Sequence, residues 1–207
     1  MIYNGVETSV LKKEYININT PVKFLFIGRI DIHHKGIDIL LDALSQDEEF
    51  FLKNIEVYLV GPYETKEDEN TLHRIIEQTP YLKRIVNIEG PKYGNQKEIY
   101  YRNCDIFIHT SRYEGMPVAV LEAMSRGMAC ALTKGTNLMN ILEESSCGFI
   151  LPDNSQELAN VLKKVVEQKE KIPEMGESAF EWSINNLSWD KISKKYASMY
   201  HDACQIK

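Results

Sequence analysis

Six short apolar runs recur along the chain with helix-period stretches between them, and this alternation constrains the fold more than any other feature. The runs are Val22–Ile27 (VKFLFI), Ile55–Val60 (IEVYLV), Ile85–Ile88, Asp105–His109, Met128–Leu132 and Gly148–Leu151. Gly28 stops the first, Gly90-Pro91 the third and Pro152 the sixth. Apolar runs this short, bounded by turn residues, predict strands buried on both faces. Helical patterns follow them: a helix opened by Gly36 and running to about Leu44, one near Leu72–Gln78, one over Lys97–Asn103, one from Pro117, and one over Asn137–Glu144. The charged stretch Tyr63–Asn70 reads as a loop. From Ser155 onward strands cease, and Gln156–Lys169, Glu174–Asn186 and Trp189–Ala203 read as helices, with Ser188 or Asn186 placed to cap the last. The sequence therefore predicts an α/β fold, a Rossmann-like six-stranded parallel sheet with helices on both faces, in the order 3-2-1-4-5-6.

A chain of 207 residues with 43% hydrophobic residues can bury one good core, so a single Rossmann-like domain over residues 21–187 is expected, preceded by a polar linker over 1–20 with a turn at Asn4-Gly5. The net charge of -6 argues against a nucleic-acid or polybasic membrane surface. No apolar run approaches the length of a membrane span, and the N-terminus lacks the pattern of a signal peptide, so a cytoplasmic location is expected. Peripheral association with a bilayer stays open. Cys104, Cys130, Cys147 and Cys204 are widely spaced, without a CxxC pair, and read as reduced thiols. His33 and His34 are adjacent and point apart on any regular element, which does not suit a shared metal.

In the expected strand order the chain reverses between strands one and four, and ligands bind in the crevice at their carboxyl ends. The loop after strand one carries Arg29 and Lys35, and the loop after strand four carries Glu114. Glu122 stands in the apolar helix VAVLEAM that follows. A charge there needs a partner. Cations with backbone amides suit a diphosphate, and carboxylates suit sugar hydroxyls. A nucleotide-sugar has both. Pro117 suits the first helical position, which leaves the neighbouring amides free for a ligand. No GxGxxG follows the first strand, no GxxxxGK[ST] is present, and a D-x-D metal clamp is missing, which disfavours nicotinamide, P-loop and metal-clamped chemistry. Each residue also has a plainer reading: Arg29 paired with Asp31, Lys35 solvated, Glu122 paired with Arg126 at i,i+4 spacing, and His109 as a buried, satisfied imidazole at a strand end.

The phrase SRYEGMPVAVLEAMSRG, in which seven residues separate Glu114 from Glu122, together with Gly28-Arg29 and Lys35-Gly36, resembles the donor-binding, C-terminal half of retaining glycosyltransferases of the GT-B fold, family 4 or group 1 type with an E-x7-E signature. Asn4-Gly5-Val6 resembles that family's interdomain hinge, and Trp189 with Tyr196 and Tyr200 its closing C-terminal helix, here residues 188–207. Met139-Asn140 stands where the family often has a proline-glutamate pair. The resemblance implies that Arg29 and Lys35 hold the donor diphosphate, and with Glu114 are the residues closest to the chemistry. It implies that Glu122 accepts ribose hydroxyls, that Glu114 faces the sugar, that Gly115, Met116 and Val118 complete the sugar and phosphate contacts, and that Gly90 and Tyr93 lie beside the nucleobase. It further implies a UDP-sugar or GDP-sugar donor, no cofactor, no metal, and an N-terminal acceptor domain supplied in cis or in trans. Two other functions fit the same residues: a non-catalytic nucleotide-sugar-binding or partner-docking module, and a nucleotide-sugar epimerase.

Overall fold

The structure, a computed structural model, describes residues 2–8, 11–15 and 18–205. The linker assigned to 1–20 and the terminal segment assigned to 188–207 thus lie in part outside the described residues, at 1, 9–10, 16–17 and 206–207.

The six strands are β1 (Val22–Ile27), β2 (Ile55–Val60), β3 (Val86–Gly90), β4 (Ile106–His109), β5 (Ala129–Thr133) and β6 (Gly148–Leu151). They form one parallel sheet in the order β3-β2-β1-β4-β5-β6, as the alternation predicts. The helices are α1 (Ile37–Leu44), α2 (Glu48–Asn54), α3 (Lys66–Gln78), α4 (Leu82–Ile85), α5 (Asn95–Asn103), α6 (Val118–Ser125), α7 (Met139–Ser145), α8 (Ser155–Glu167), α9 (Ile172–Asn186) and α10 (Trp189–Gln205).

Successive strand side chains point to opposite faces, so each strand feeds two cores. Val22, Phe24 and Phe26 of β1, Ile106 and Ile108 of β4, and Ala129 and Ala131 of β5 pack with Ile37, Leu40 and Leu41 of α1 and with Leu158, Leu162 and Val165 of α8. Leu25 and Ile27, Phe107, and Cys130 and Leu132 of the same strands face the other way, against Val120, Leu121 and Met124 of α6, Ile141 and Leu142 of α7 and Ala179 of α9. Burial on both faces is why these strands are continuously apolar rather than alternating.

Three differences from the sequence reading have local causes. The charged stretch is mostly helix: Thr65 caps α3 by accepting from the Asp68 amide while the Asp68 carboxylate accepts from the Thr65 amide, a reciprocal capping box that holds the first turn regardless of its charge. The short helices α2 and α4 were missed, although Asp47 accepts from the Phe50 amide to start α2. Pro117 is the extended residue just before α6 rather than its first helical residue, with the Val120 amide bonded to its carbonyl at 3.0 Å.

The N-terminal segment is tied to the C-terminal helices. The Val6 amide donates to Leu187 O at 2.9 Å, and Val6 bridges Ser188 at the start of α10. Tyr3 meets the Trp182 ring edge-on at 5.6 Å.

Candidate active site at the carboxyl ends of β1 and β4

Parallel strands β1 and β4 run side by side, Phe24 opposite Ile106 and Leu25 opposite Phe107, so the loops that follow them emerge together. The two loops are laced. Gly36, with φ of 63°, lies so close to the Thr110 carbonyl that a β-carbon would collide with it. The Thr110 hydroxyl donates to Lys35 O at 2.9 Å, and the Arg112 amide to His34 O at 3.0 Å. The Arg112 guanidinium donates to the His33 carbonyl and grips both Asp38 oxygens, at 2.7 and 2.9 Å.

This lacing brings Lys35 onto Glu114. The ammonium lies 2.5 Å from Glu114 Oε1, and both side chains are only 12% exposed. The same oxygen accepts from Ser111 Oγ at 2.8 Å and lies 3.1 Å from His109 Nε2, with His34 Nε2 at 4.0 Å. Burial alone would raise the Glu114 carboxyl, but hydrogen bonds from His109, Lys35 and Ser111 outweigh it and bring the pKa to about 2. Lys35 is therefore an ion-paired, largely buried lysine, not a solvated one.

From the other side, the loop after β5 closes on the same segment. The Thr133 hydroxyl donates to Ser111 O at 2.6 Å, and Asn137 Nδ2 to the Glu114 carbonyl at 2.5 Å. Gly135 passes so near the Ser111 and Arg112 carbonyls that any side chain there would clash. Met139 and Asn140 begin α7, and it is Asn137 of that connection that reaches Glu114.

Glu122 has different neighbours. Lys97 Nζ donates to its Oε2 at 2.8 Å and the Tyr101 hydroxyl at 3.1 Å, both from α5. The plainer pairing with Arg126 is not what forms. Arg126 Nε donates to Glu98 Oε1 and Oε2 at 3.0 and 2.9 Å, and its Nη1 to the backbone carbonyl of Glu122 at 2.9 Å. Its guanidinium also lies over the Tyr101 ring, 4.6 Å from the centroid. Adjacent-turn spacing put Arg126 near Glu122, but the facing helix α5 offers Arg126 a two-oxygen acceptor instead.

Arg29 is separate from both carboxylates. It is 61% exposed and pairs with Glu64, after β2, at 2.5 Å, not with Asp31. Asp31 accepts instead from the His34 amide at 2.9 Å. The structure thus joins Lys35 to Glu114 directly, while Arg29 and Glu122 each have another partner in loops or helices that border the same end of the sheet. Gly90 ends β3, Tyr93 follows it with its side chain 74% exposed, and Gly115 and Met116 lie between Glu114 and α6. Val118 opens α6, in which the Val120 and Leu121 amides are bonded to the Pro117 carbonyl and no side chain caps the helix. His33 and His34 diverge: His33 is exposed near Asp38, and His34 stacks on Tyr113 at 4.2 Å.

Sequence reasoning missed Ser111, Asn137, Lys97 and Tyr101. The i,i+4 spacing of Lys97 and Tyr101 marks one face of a helix and was a usable signal for the last two. Nothing along the chain signals that Asn137 meets Glu114.

Comparison with known proteins agrees with this architecture. The family model described as glycosyl transferases group 1 matches residues 9–182. The chain is 27% identical over 204 residues to the capsular polysaccharide biosynthesis glycosyltransferase CapH of Staphylococcus aureus, covering 95% of this chain and 53% of that protein. It is 29% identical to a glycogen synthase of Thermodesulfovibrio yellowstonii, covering 84% of this chain and 34% of that protein. Among solved structures, Anabaena Alr3699/HepE in complex with UDP and glucose superposes with a TM-score of 0.81 at 23% identity, over 97% of this chain and 56% of that one. The same protein in complex with UDP-glucose gives 0.80 at 25% identity, over 97% and 57%. The chain spans about half the length of CapH and HepE, and about a third of that glycogen synthase. With a parallel sheet in the 3-2-1-4-5-6 order and a family match across most of its length, this chain belongs to the glycosyl transferases group 1 family and has the Rossmann-like fold of GT-B glycosyltransferases.

Proposed function

We propose that the chain is the donor-binding half of a retaining glycosyltransferase that transfers a hexosyl group from a UDP-sugar or GDP-sugar to a glycan or lipid-linked acceptor. The observation that carries this reading is the contact between Lys35 and Glu114, a cation and a carboxylate from distant sequence joined at the point where the strand order reverses. Supporting it, HepE, which shares the fold, is recorded in complex with UDP-glucose.

In this reading Lys35 and Arg29 hold the diphosphate and stabilise the charge that gathers on it as the glycosidic bond breaks. Glu114 orients the sugar through its hydroxyls, and Glu122 accepts from the ribose hydroxyls. The amides of Gly115, Met116 and Val118 and the α6 N-terminus add donors beside the phosphates. Gly90 and Tyr93 flank the base. The departing phosphate takes the acceptor's proton as the new bond forms on the same face, so no cofactor and no metal is required. Donor binding then exchanges partners: ribose hydroxyls replace Lys97 on Glu122, and phosphate replaces Glu64 on Arg29. The acceptor side is contributed by an N-terminal domain in cis or in trans, and the chain alone transfers little. Among the described residues no helix is long and apolar enough to cross a membrane. The reading places the reaction at the cytoplasmic side, where nucleotide-sugars are made, with peripheral membrane contact for a lipid-linked acceptor.

Titration of the folded chain with UDP, GDP, ADP and UDP-glucose tests this. One nucleotide should bind, and both Lys35→Ala and Glu122→Ala should abolish or severely weaken that binding in a protein that still folds. No binding by any of them overturns the reading, and binding unaffected by either substitution favours a partner-docking module.

A further inference from the structure

His109 has no role among the donor contacts proposed above, yet it is a fully buried polar side chain in direct contact with Glu114. It ends β4 and is 2% exposed, with its ring stacked on Phe26 at 5.3 Å and on Phe107 at 6.2 Å, each within 14° of parallel. Its Nε2 lies 3.1 Å from Glu114 Oε1. An ionised carboxylate only accepts, so the ring must donate from Nε2. Its Nδ1 is the sole buried side-chain nitrogen or oxygen without a hydrogen-bond partner among the described residues. A proton on Nδ1 would leave a buried N–H unanswered, whereas a bare Nδ1 leaves only an unused lone pair. The ring is therefore the neutral Nε2–H tautomer. Burial drives its pKa down, Lys35 and His34 push the same way, and the opposing pull of Glu114 does not overcome them.

Glu114 Oε1 thus has one charged donor, Lys35 at 2.5 Å, and two neutral ones, Ser111 at 2.8 Å and His109 at 3.1 Å. The proposed function, on which this inference rests, gives Lys35 a second task at the donor diphosphate. Whatever share of the ammonium the phosphate takes is lost to Glu114. A charged imidazolium in place of His109 would then neutralise the carboxylate, while an apolar side chain would let it swing or take up a proton. We infer that His109 is a positioning residue: a neutral Nε2–H donor, locked by two phenylalanine rings, that keeps Glu114 ionised and aimed at the donor sugar when Lys35 turns to the diphosphate.

Two measurements test this. Ring nitrogen NMR of the wild-type chain should show His109 as the neutral Nε2–H tautomer at pH 7. An imidazolium, or a proton on Nδ1, overturns the inference, and this readout is independent of any ligand. The second compares UDP-glucose with UDP, using His109→Gln, whose amide retains an N–H donor, and His109→Phe, which does not. His109→Phe should weaken UDP-glucose about tenfold, the loss of roughly one neutral-to-charged hydrogen bond, and leave UDP within about twofold. That loss should deepen only as pH falls below about 5, where Glu114, left with Lys35, Ser111 and His34 as the groups facing it, begins to take up a proton. His109→Gln should recover most of the affinity and the flat pH profile. Equal weakening of UDP and UDP-glucose, or no rescue by glutamine, overturns the positioning role. If the wild-type chain binds neither ligand, the proposed function fails, and with it the role toward the sugar, while the tautomer result still decides how His109 holds Glu114.

Discussion

Glu114 and Glu122 are separated by only seven residues, yet the molecule treats them as opposites. Glu114 leaves a loop that is bonded on both flanks, to the β1–α1 loop and to the loop after β5, and one of its oxygens is met by three donors within 3.1 Å. Glu122 sits on a regular helix, is 27% exposed, and among the described residues is met by Lys97 and Tyr101 of the facing helix. The first carboxylate is preorganised, and its neighbours depend on it. The second has a replaceable partner. Under the proposed function, a site built this way fixes the carboxylate that is aimed at the sugar and lets the other exchange Lys97 for the ribose hydroxyls.

The strongest way to break this contrast is Gly36→Ala. The residue has φ of 63° and no room for a β-carbon beside the Thr110 carbonyl, so the substitution should cost about 3 kcal/mol and part the two loops that carry Lys35 and Glu114. Urea unfolding reads the loss; an unchanged midpoint would mean that the lacing is not rigid.

Next comes Glu114→Gln, expected to destabilise by about 2 kcal/mol at pH 7, since it removes the charge that Lys35 and the other donors answer. The sign of the pH dependence follows from the depressed pKa, about 2 against the ordinary 4.5. Stability contributed by Glu114 is fully present above about pH 4.5 and is lost as pH falls toward 2. Unfolding free energies of wild type and Glu114→Gln should therefore converge across that window, and parallel curves would refute the assignment.

Glu122→Gln sharpens the contrast from the other side. It should change stability by less than about 1 kcal/mol while weakening UDP about tenfold. Calorimetry alongside thermal unfolding separates the two effects, and a stability loss matching that of Glu114→Gln would erase the difference between the sites.

The smallest effect is expected for Arg29→Ala. An exposed pair with Glu64 contributes within about 0.5 kcal/mol of nothing to stability, and the affinity for UDP should fall about threefold, less in high salt. A larger, salt-insensitive loss would show that Arg29 is buried against the donor when it binds.

How much of this was legible beforehand varies by level. The six strands, their order and the loops that meet at the reversal were readable because apolar runs such as Val22–Ile27 must be covered on both faces, and few topologies achieve that. The helices missed, α2 and α4, were short, and α3 was begun too late, at Leu72, because its first turns are heavily charged. For α3 and α2 the Thr65–Asp68 and Asp47–Phe50 caps were a signal that hydrophobic periodicity does not register. At the site, Lys35 with Glu114 was anticipated as a shared location, but their direct contact was not. Arg126 was assigned the wrong carboxylate because spacing along one helix cannot see Glu98 on another.

The amino-acid sequence alone determined the layer architecture and the end of the strands at which charged side chains collect, because burial of apolar surface acts on patterns repeated every two or three to four residues. Only the folded chain decided which cation meets which carboxylate, that His109 donates from Nε2 to Glu114, and that Asn137 closes the loop from behind. Those are contacts of a few ångströms between loops with no period. Their energies depend on distance and burial, which no local stretch of sequence specifies.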